Sequence, residues 1–184
     1  MENLVENISK SVAIELLFEE MPTRPTANAI FREARKIFGD INIINRDEND
    51  IEFSVDKFVA YNEDNTTSPV VLAMGNITDF DDKVAVSEFE RTQIWNVANS
   101  EELLSKYKYA VKIWDVNAQR QIPKERAIML VDWLNVALKL YPKCQAIWIK
   151  SAGKLQLAQS IKNLKETGIV KYLYSMVNIR FFNV

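Results

Sequence analysis

Ser151, Gly153 and Lys154 stand just ahead of an apolar stretch with helical spacing. A hydroxyl, a flexible backbone amide and an ammonium at that position are the parts of an anion site at a helix start. The stretch lacks the GxxxxGK(S/T) spacing of a phosphate loop and its second glycine, so a plain strand-to-helix turn is the competing expectation. Carboxylates offer a second chemistry. Asp47, Glu48 and Asp50 form one group and Asp79, Asp81 and Asp82 another, as two-acid hydrolysis or a divalent cation would require. Neither group has the glycine and closing Glu of a calcium loop, and both read as solvated turns. Trp95 lies at a helix-to-loop junction beside Arg91 and Gln93 and is the tryptophan expected to make a contact. Trp114, Trp133 and Trp148 fall in strands or in a long helix, where large aromatics pack. A candidate pocket for a small anion therefore gathers Trp95, Arg126, Ser151 and Lys154, with Arg91 and Gln93 near Trp95.

Much other chemistry is excluded by composition. The 184 residues contain no histidine and one cysteine, Cys144, so there is no Ser-His-Asp or Cys-His couple, no HExxH zinc site and no thiolate cage. No catalytic residue, cofactor or metal site is predicted. Cys144 adjoins the apolar Ala146-Ile147-Trp148 and is expected to be a buried, inert thiol in a reducing compartment. The acidic start has no signal-peptide pattern and no apolar run is long enough to span a bilayer, which predicts a cytoplasmic protein without membrane contact. A pI near 5.4 and the lack of an RNP-like or helix-turn-helix signature argue against nucleic acid.

Charge is unevenly placed. Residues 40–102 carry 15 acidic and four basic side chains, whereas residues 139–184 carry eight basic and one acidic. Such asymmetry suits an acidic face that meets a basic partner, or two solvated faces that partly cancel.

The elements that must position these residues follow from periodicity. Residues 12–18 read as a buried strand. A helix over 26–38 is predicted, with Thr26 as N-cap, Ala27, Ile30, Phe31, Ala34 and Phe38 inward, and Gly39 at its end. Short β-branched and aromatic runs at 41–44, 51–55, 58–61 and 70–74, separated by Asn, Asp and Thr, predict an antiparallel meander. Residues 84–95 read as helical. Asn99 and Glu102 look like a capping box opening a short helix to about Lys106, and 107–116 reads as a strand. The strongest pattern is a helix over 123–141, proline at its first turn and apolar around most of its girth, which must therefore be covered on several sides. A strand at 145–149, a helix over 155–166 stopped by Gly168, and a last strand at 174–184 complete the order. Together these predict one α+β domain over residues 1–184, with a mixed, largely antiparallel sheet and about four helices, one of them central and mostly apolar.

The texture from Arg91 onward has a relative. Gln93-Ile94-Trp95, Glu101-Glu102-Leu103-Leu104, Tyr109-Ala110-Val111-Lys112-Ile113, Lys124-Glu125-Arg126, Pro142-Lys143-Cys144-Gln145-Ala146-Ile147-Trp148 with Ser151 and Lys154, and Val177-Asn178-Ile179-Arg180-Phe181-Phe182-Asn183-Val184 resemble the bacterial family called domain of unknown function 4261. Ile14-Glu15-Leu16-Leu17-Phe18-Glu19-Glu20 is similar to that family's first strand, so the likeness spans nearly the whole chain. It implies no catalytic assignment, since the family is uncharacterised. Members usually continue past the equivalent of Phe182-Asn183-Val184 into a glycine- and leucine-rich segment, so the resemblance implies a short or truncated relative. By analogy with small bacterial domains of competition loci, the expected function is a non-catalytic protein-binding module, immunity-like or adaptor, presenting the acidic face of residues 40–82 to a basic protein partner. The alternative is an enzyme or small-anion-binding protein using the pocket above.

Overall fold

The computed structural model describes residues 11–47, 49–94 and 97–178. Seven strands form one sheet: β1 (Ala13–Phe18), β2 (Ile41–Arg46), β3 (Asp50–Tyr61), β4 (Thr67–Asp79), β5 (Tyr109–Val116), β6 (Ala146–Ile149) and β7 (Lys154–Leu157). Their spatial order is β2-β3-β4-β5-β1-β6-β7, and every pairing is antiparallel. The mixed sheet expected from βα alternation is thus corrected. β5 and β6 do run in the same direction across a helical connection, but β1 inserts between them and pairs antiparallel with both. Seven α-helical segments lie among the described residues: α1 (Ala27–Phe38), α2 (Asp82–Ala85), α3 (Glu88–Gln93), α4 (Ser100–Lys106), α5 (Pro123–Leu140), α6 (Ala158–Asn163) and α7 (Gly168–Met176). Four of them are seven residues or longer, and the α+β class holds.

Local chemistry sets the ends of these elements. The Thr26 hydroxyl accepts the Ala29 N–H at 3.2 Å, and Gly39 ends α1 at φ +80, which L side chains rarely adopt. Pro123 opens α5, where its missing N–H has no helical partner to lose. One expected cap and one expected helix fail. Asn99 opens α4 in the left-handed region with no side-chain cap, whereas the capping box belongs to Ser87 and Glu90, which cut the predicted helix over 84–95 into α2 and α3. The runs at 51–55 and 58–61 are one strand, β3, interrupted by a register shift between Val55 and Val59.

The C-terminal third departs furthest. Leu155 and Leu157 belong to β7, because the turn through Lys150–Ala152 and Gly153 (φ +56) folds the chain back onto β6 and sets Leu155 opposite Trp148. Only Ala158–Asn163 is helical. Tyr174 and Met176, expected in a last strand, close α7 instead, and residues 179–184 of that prediction lie outside the described residues.

The sheet has two unlike faces. On the first, Ile14, Leu16, Phe18, Phe53, Leu72, Val111, Ile113 and Ile147 pack against α1 and α5. α5 contacts both α1 and α7, and nine of its 18 residues are buried, as a helix apolar around most of its girth requires. Glu33 of α1 accepts from Lys139 of α5 at 2.8 Å and from Lys36 at 2.6 Å, and these bonds hold its carboxyl down at about 2. On the second face, Leu17, Ala110, Ala146, Trp148 and Leu155 meet Phe80, Val86, Ile94, Leu104 and Tyr107, contributed by α2 to α4 and their connections. That second layer covers only the part of the sheet toward β6 and β7.

Candidate functional site

The two strongest cations of the predicted pocket are engaged in holding the fold. Arg126, in the first turns of α5, donates from Nε to Asp115 Oδ2 at 2.7 Å and from Nη2 to Asp115 Oδ1 at 3.0 Å. Asp115 is fully buried at the end of β5 and also accepts the Val12 N–H at 2.6 Å. Lys154 is buried at the start of β7, where its ammonium donates to the carbonyls of Tyr174 at 2.6 Å and Val177 at 2.8 Å. It thus closes the C-terminal end of α7, where carbonyls lack helical partners. Burial lowers its pKa. No helix begins at Gly153-Lys154, so the dipole expected there does not exist.

Lys154→Ala is accordingly expected to destabilise rather than merely to empty a pocket. Losing two charge-assisted bonds should cost about 1–3 kcal/mol and lower the melting temperature by roughly 2–10 °C, read by thermal denaturation. An unchanged melting temperature would show that the contacts to α7 carry no weight.

The remaining candidates are partly gathered. Asn178 Nδ2 donates to the carbonyls of Gln93 and Gly153, each at 3.0 Å, and a side chain at Gly153 would run into the Gln93 Cβ. Gln93 and the turn before β7 are therefore neighbours, although widely separated in sequence. Ser151 is exposed at the rim of a cleft of ≈ 290 Å³ shared with Tyr172 and Asn178. Arg91 points elsewhere, donating to Asp82 Oδ2 at 2.9 Å across the α2–α3 corner. Trp95 lies outside the described residues.

One residue beside Arg126 escaped the sequence reading. Gln121 is 5% exposed, and neither end of its carboxamide has a hydrogen-bond partner. It lines a cleft of ≈ 200 Å³ with Arg126, Tyr172 and Pro123. A glutamine in a loop, between Arg120 and Ile122, carries no sequence signal of burial.

The acidic groups have structural duties of their own. Asp47 accepts the N–H groups of Asn49 at 2.7 Å and Asp50 at 2.8 Å, and the backbone bond from Asp50 leads in lowering its pKa; Glu48 is outside the described residues. Asp81 caps α2 through the Lys83 N–H. Cys144 is buried with Sγ 3.2 Å from the Ala146 carbonyl, and burial pushes its thiol up to about 12, far from a thiolate nucleophile at neutral pH. Among the described residues no group of three or more Asp, Glu or Cys is placed to hold a metal ion, and no helix is long and apolar enough to cross a membrane.

Trp133 and Trp148 are in the core as expected, at 0% and 1% exposure, but Trp114 is not. It lies partly exposed on the second sheet face, its ring across Gly75, where an added Cβ would stand 3.4 Å from Cζ3, and Lys112 Nζ is 5.5 Å from the ring centroid. The register places Asn45, Glu52, Ala73, Trp114 and Ala13 in one row across five strands. Strict alternation sets Asp50 on the same face, and Asp56 joins it by accepting from Asn42 at 3.0 Å. Glu15 sits opposite Lys112 on this face, and burial raises its carboxyl pKa against the pull of Lys112 and Lys150. Val71 and Val116 are partly exposed between these groups. Lys112 and Trp114, two apart in β5, were the signal that this strand turns one polar face outward.

Comparison with protein-family models, with curated proteins and with solved structures gave no match for this chain.

Proposed function

We propose that the protein is a non-catalytic binding module, immunity-like or adaptor in role, that receives a basic segment of another protein on the uncovered half of its second sheet face. One observation carries this reading: Asp50, Glu52 and Asp56 of β3 share that face with the Trp114 ring, and the apolar cluster that α2 to α4 form on this face draws its sheet residues from β1, β5, β6 and β7 and none from β3 or β4. The carboxylates steer a cationic partner toward the face, and a partly exposed tryptophan lying on glycine supplies the rigid anchor typical of interface hot spots. Function follows from occlusion, with no bond made or broken.

The test is a titration with a peptide alternating lysine and leucine, followed by stopped-flow fluorescence. Raising salt from about 0.05 M to about 0.5 M should slow association roughly tenfold or more, because screening shortens the reach of the acidic field. The double reversal Glu52→Lys with Asp56→Lys should do the same at low salt, and Trp114→Ala should raise the dissociation rate. Association indifferent to both salt and charge reversal would remove the acidic face from the reading.

A further inference from the structure

On the opposite side of the sheet, where β1 leads into α1 and α5 ends, the chain forms a cavity of ≈ 380 Å³ that is open to solvent on one side. Its walls are apolar and stiff: Phe18, Leu140 and three prolines, Pro22, Pro25 and Pro142. Proline fixes φ and so preforms the loop, and the volume lies in the range of small-molecule sites. Two cations, Arg24 and Lys143, line it, and no lining residue is acidic.

Tyr141 supplies the independent observation. It is 3% exposed, its ring packs on Phe18 with centroids 5.5 Å apart, and its hydroxyl is buried without a hydrogen-bond partner. A buried hydroxyl left unpaired costs stability, and a tyrosine here rather than a phenylalanine has no structural return. Burial pushes the phenol up to about 12, so at neutral pH it is a donor that has no acceptor.

We propose that this cavity binds a small carboxylate with an apolar body, such as an aromatic acid, its ring between the prolines and its carboxylate accepting from the Tyr141 hydroxyl in the field of Arg24 and Lys143. Charge-assisted bonds to a carboxylate are about twice as strong as neutral ones, which favours an anion over a neutral guest of the same shape. The site is independent of the acidic face around Trp114, and neither reading depends on the other.

The experiment is calorimetric titration of the whole protein with benzoate, with benzyl alcohol as the neutral counterpart and inorganic phosphate as the anion without an apolar body. Saturable benzoate binding is expected, with benzyl alcohol and phosphate each at least about tenfold weaker. Tyr141→Phe removes a group that bonds to nothing in the fold, so it should melt no lower than the parent while binding benzoate about tenfold more weakly. Arg24→Gln should weaken benzoate and leave benzyl alcohol unchanged. Absence of saturable benzoate binding, equal binding of benzyl alcohol, or a Tyr141→Phe variant that binds as tightly as the parent would each overturn the proposal.

Discussion

Replacing Asp115 with alanine should remove about 3–5 kcal/mol of stability, a large share of the roughly 5–15 kcal/mol that holds a domain of this kind together. Asp115 is fully buried and accepts three bonds, from Arg126 Nε, Arg126 Nη2 and the Val12 N–H. It therefore joins the entry to β1, the end of β5 and the first turns of α5 at one point. The alanine variant leaves the Arg126 guanidinium, whose side chain is only 15% exposed, without its counter-charge, and strands the Val12 amide. An uncompensated buried charge costs more than the pair contributes when intact. Arg126→Met should be comparably harmful, because it strands the carboxylate instead. The two changes combined should cost much less than their sum, since each single variant already forfeits the same interaction. Urea denaturation of the three variants measures this directly. A loss under about 1 kcal/mol for Asp115→Ala would show that water reaches the pair and screens it.

Trp133→Ala should be as damaging, by about 3–5 kcal/mol. The indole is fully buried in α5, meets Phe53 edge-on with centroids 5.3 Å apart at 86°, and donates from Nε1 to the Ala73 carbonyl at 3.2 Å. It is thus both the largest filler of the first core layer and a polar tie between α5 and the middle of β4. Truncation opens a cavity that surrounding strands cannot close without leaving their ladders. Trp133→Phe separates the two contributions. It restores most of the apolar volume and still leaves the carbonyl unpaired, so about 1–3 kcal/mol should remain lost. If phenylalanine proves as stable as tryptophan in the same denaturation series, the hydrogen bond contributes nothing and packing explains the whole effect.

How far the sequence revealed this molecule differs along the chain. α1 and α5 were legible because their apolar positions recur at helical spacing and their ends carry Thr26, Gly39 and Pro123. The meander was legible from its β-branched runs, though not the register shift that makes one strand of 51–55 and 58–61, since a bulge leaves alternation broken without saying how. Leu155-Gln156-Leu157 fits a helix as well as a strand over so few residues. Its partner Trp148 decides the matter, and pairing is a tertiary fact. Tyr174 and Met176 close a helix where propensity pointed to the start of a strand, and packing of that helix on α5 prevailed.

The candidate site was less legible. Ser151, Gln93 and Lys154 do come to one corner of the fold, but Lys154 is taken by carbonyls of α7 and Arg126 by Asp115. Sequence shows a charge without showing what satisfies it. Trp114 was placed in the core because tryptophans in strands usually are, and its exposure depends on how far α2 to α4 reach across the second face.

The insertion of β1 between β5 and β6 has a consequence for how the chain is made. Both partners of β1 emerge from the ribosome long after it, β5 by about ninety residues and β6 later still. The meander of β2 to β4 finds its neighbours almost as soon as it is synthesised. Leu16, Leu17 and Phe18 instead find their native partners only once β5 and then β6 have been made. Completion of the sheet is therefore a non-local closure, in which the ends of a long intervening segment must be brought together before β1 gains either neighbour.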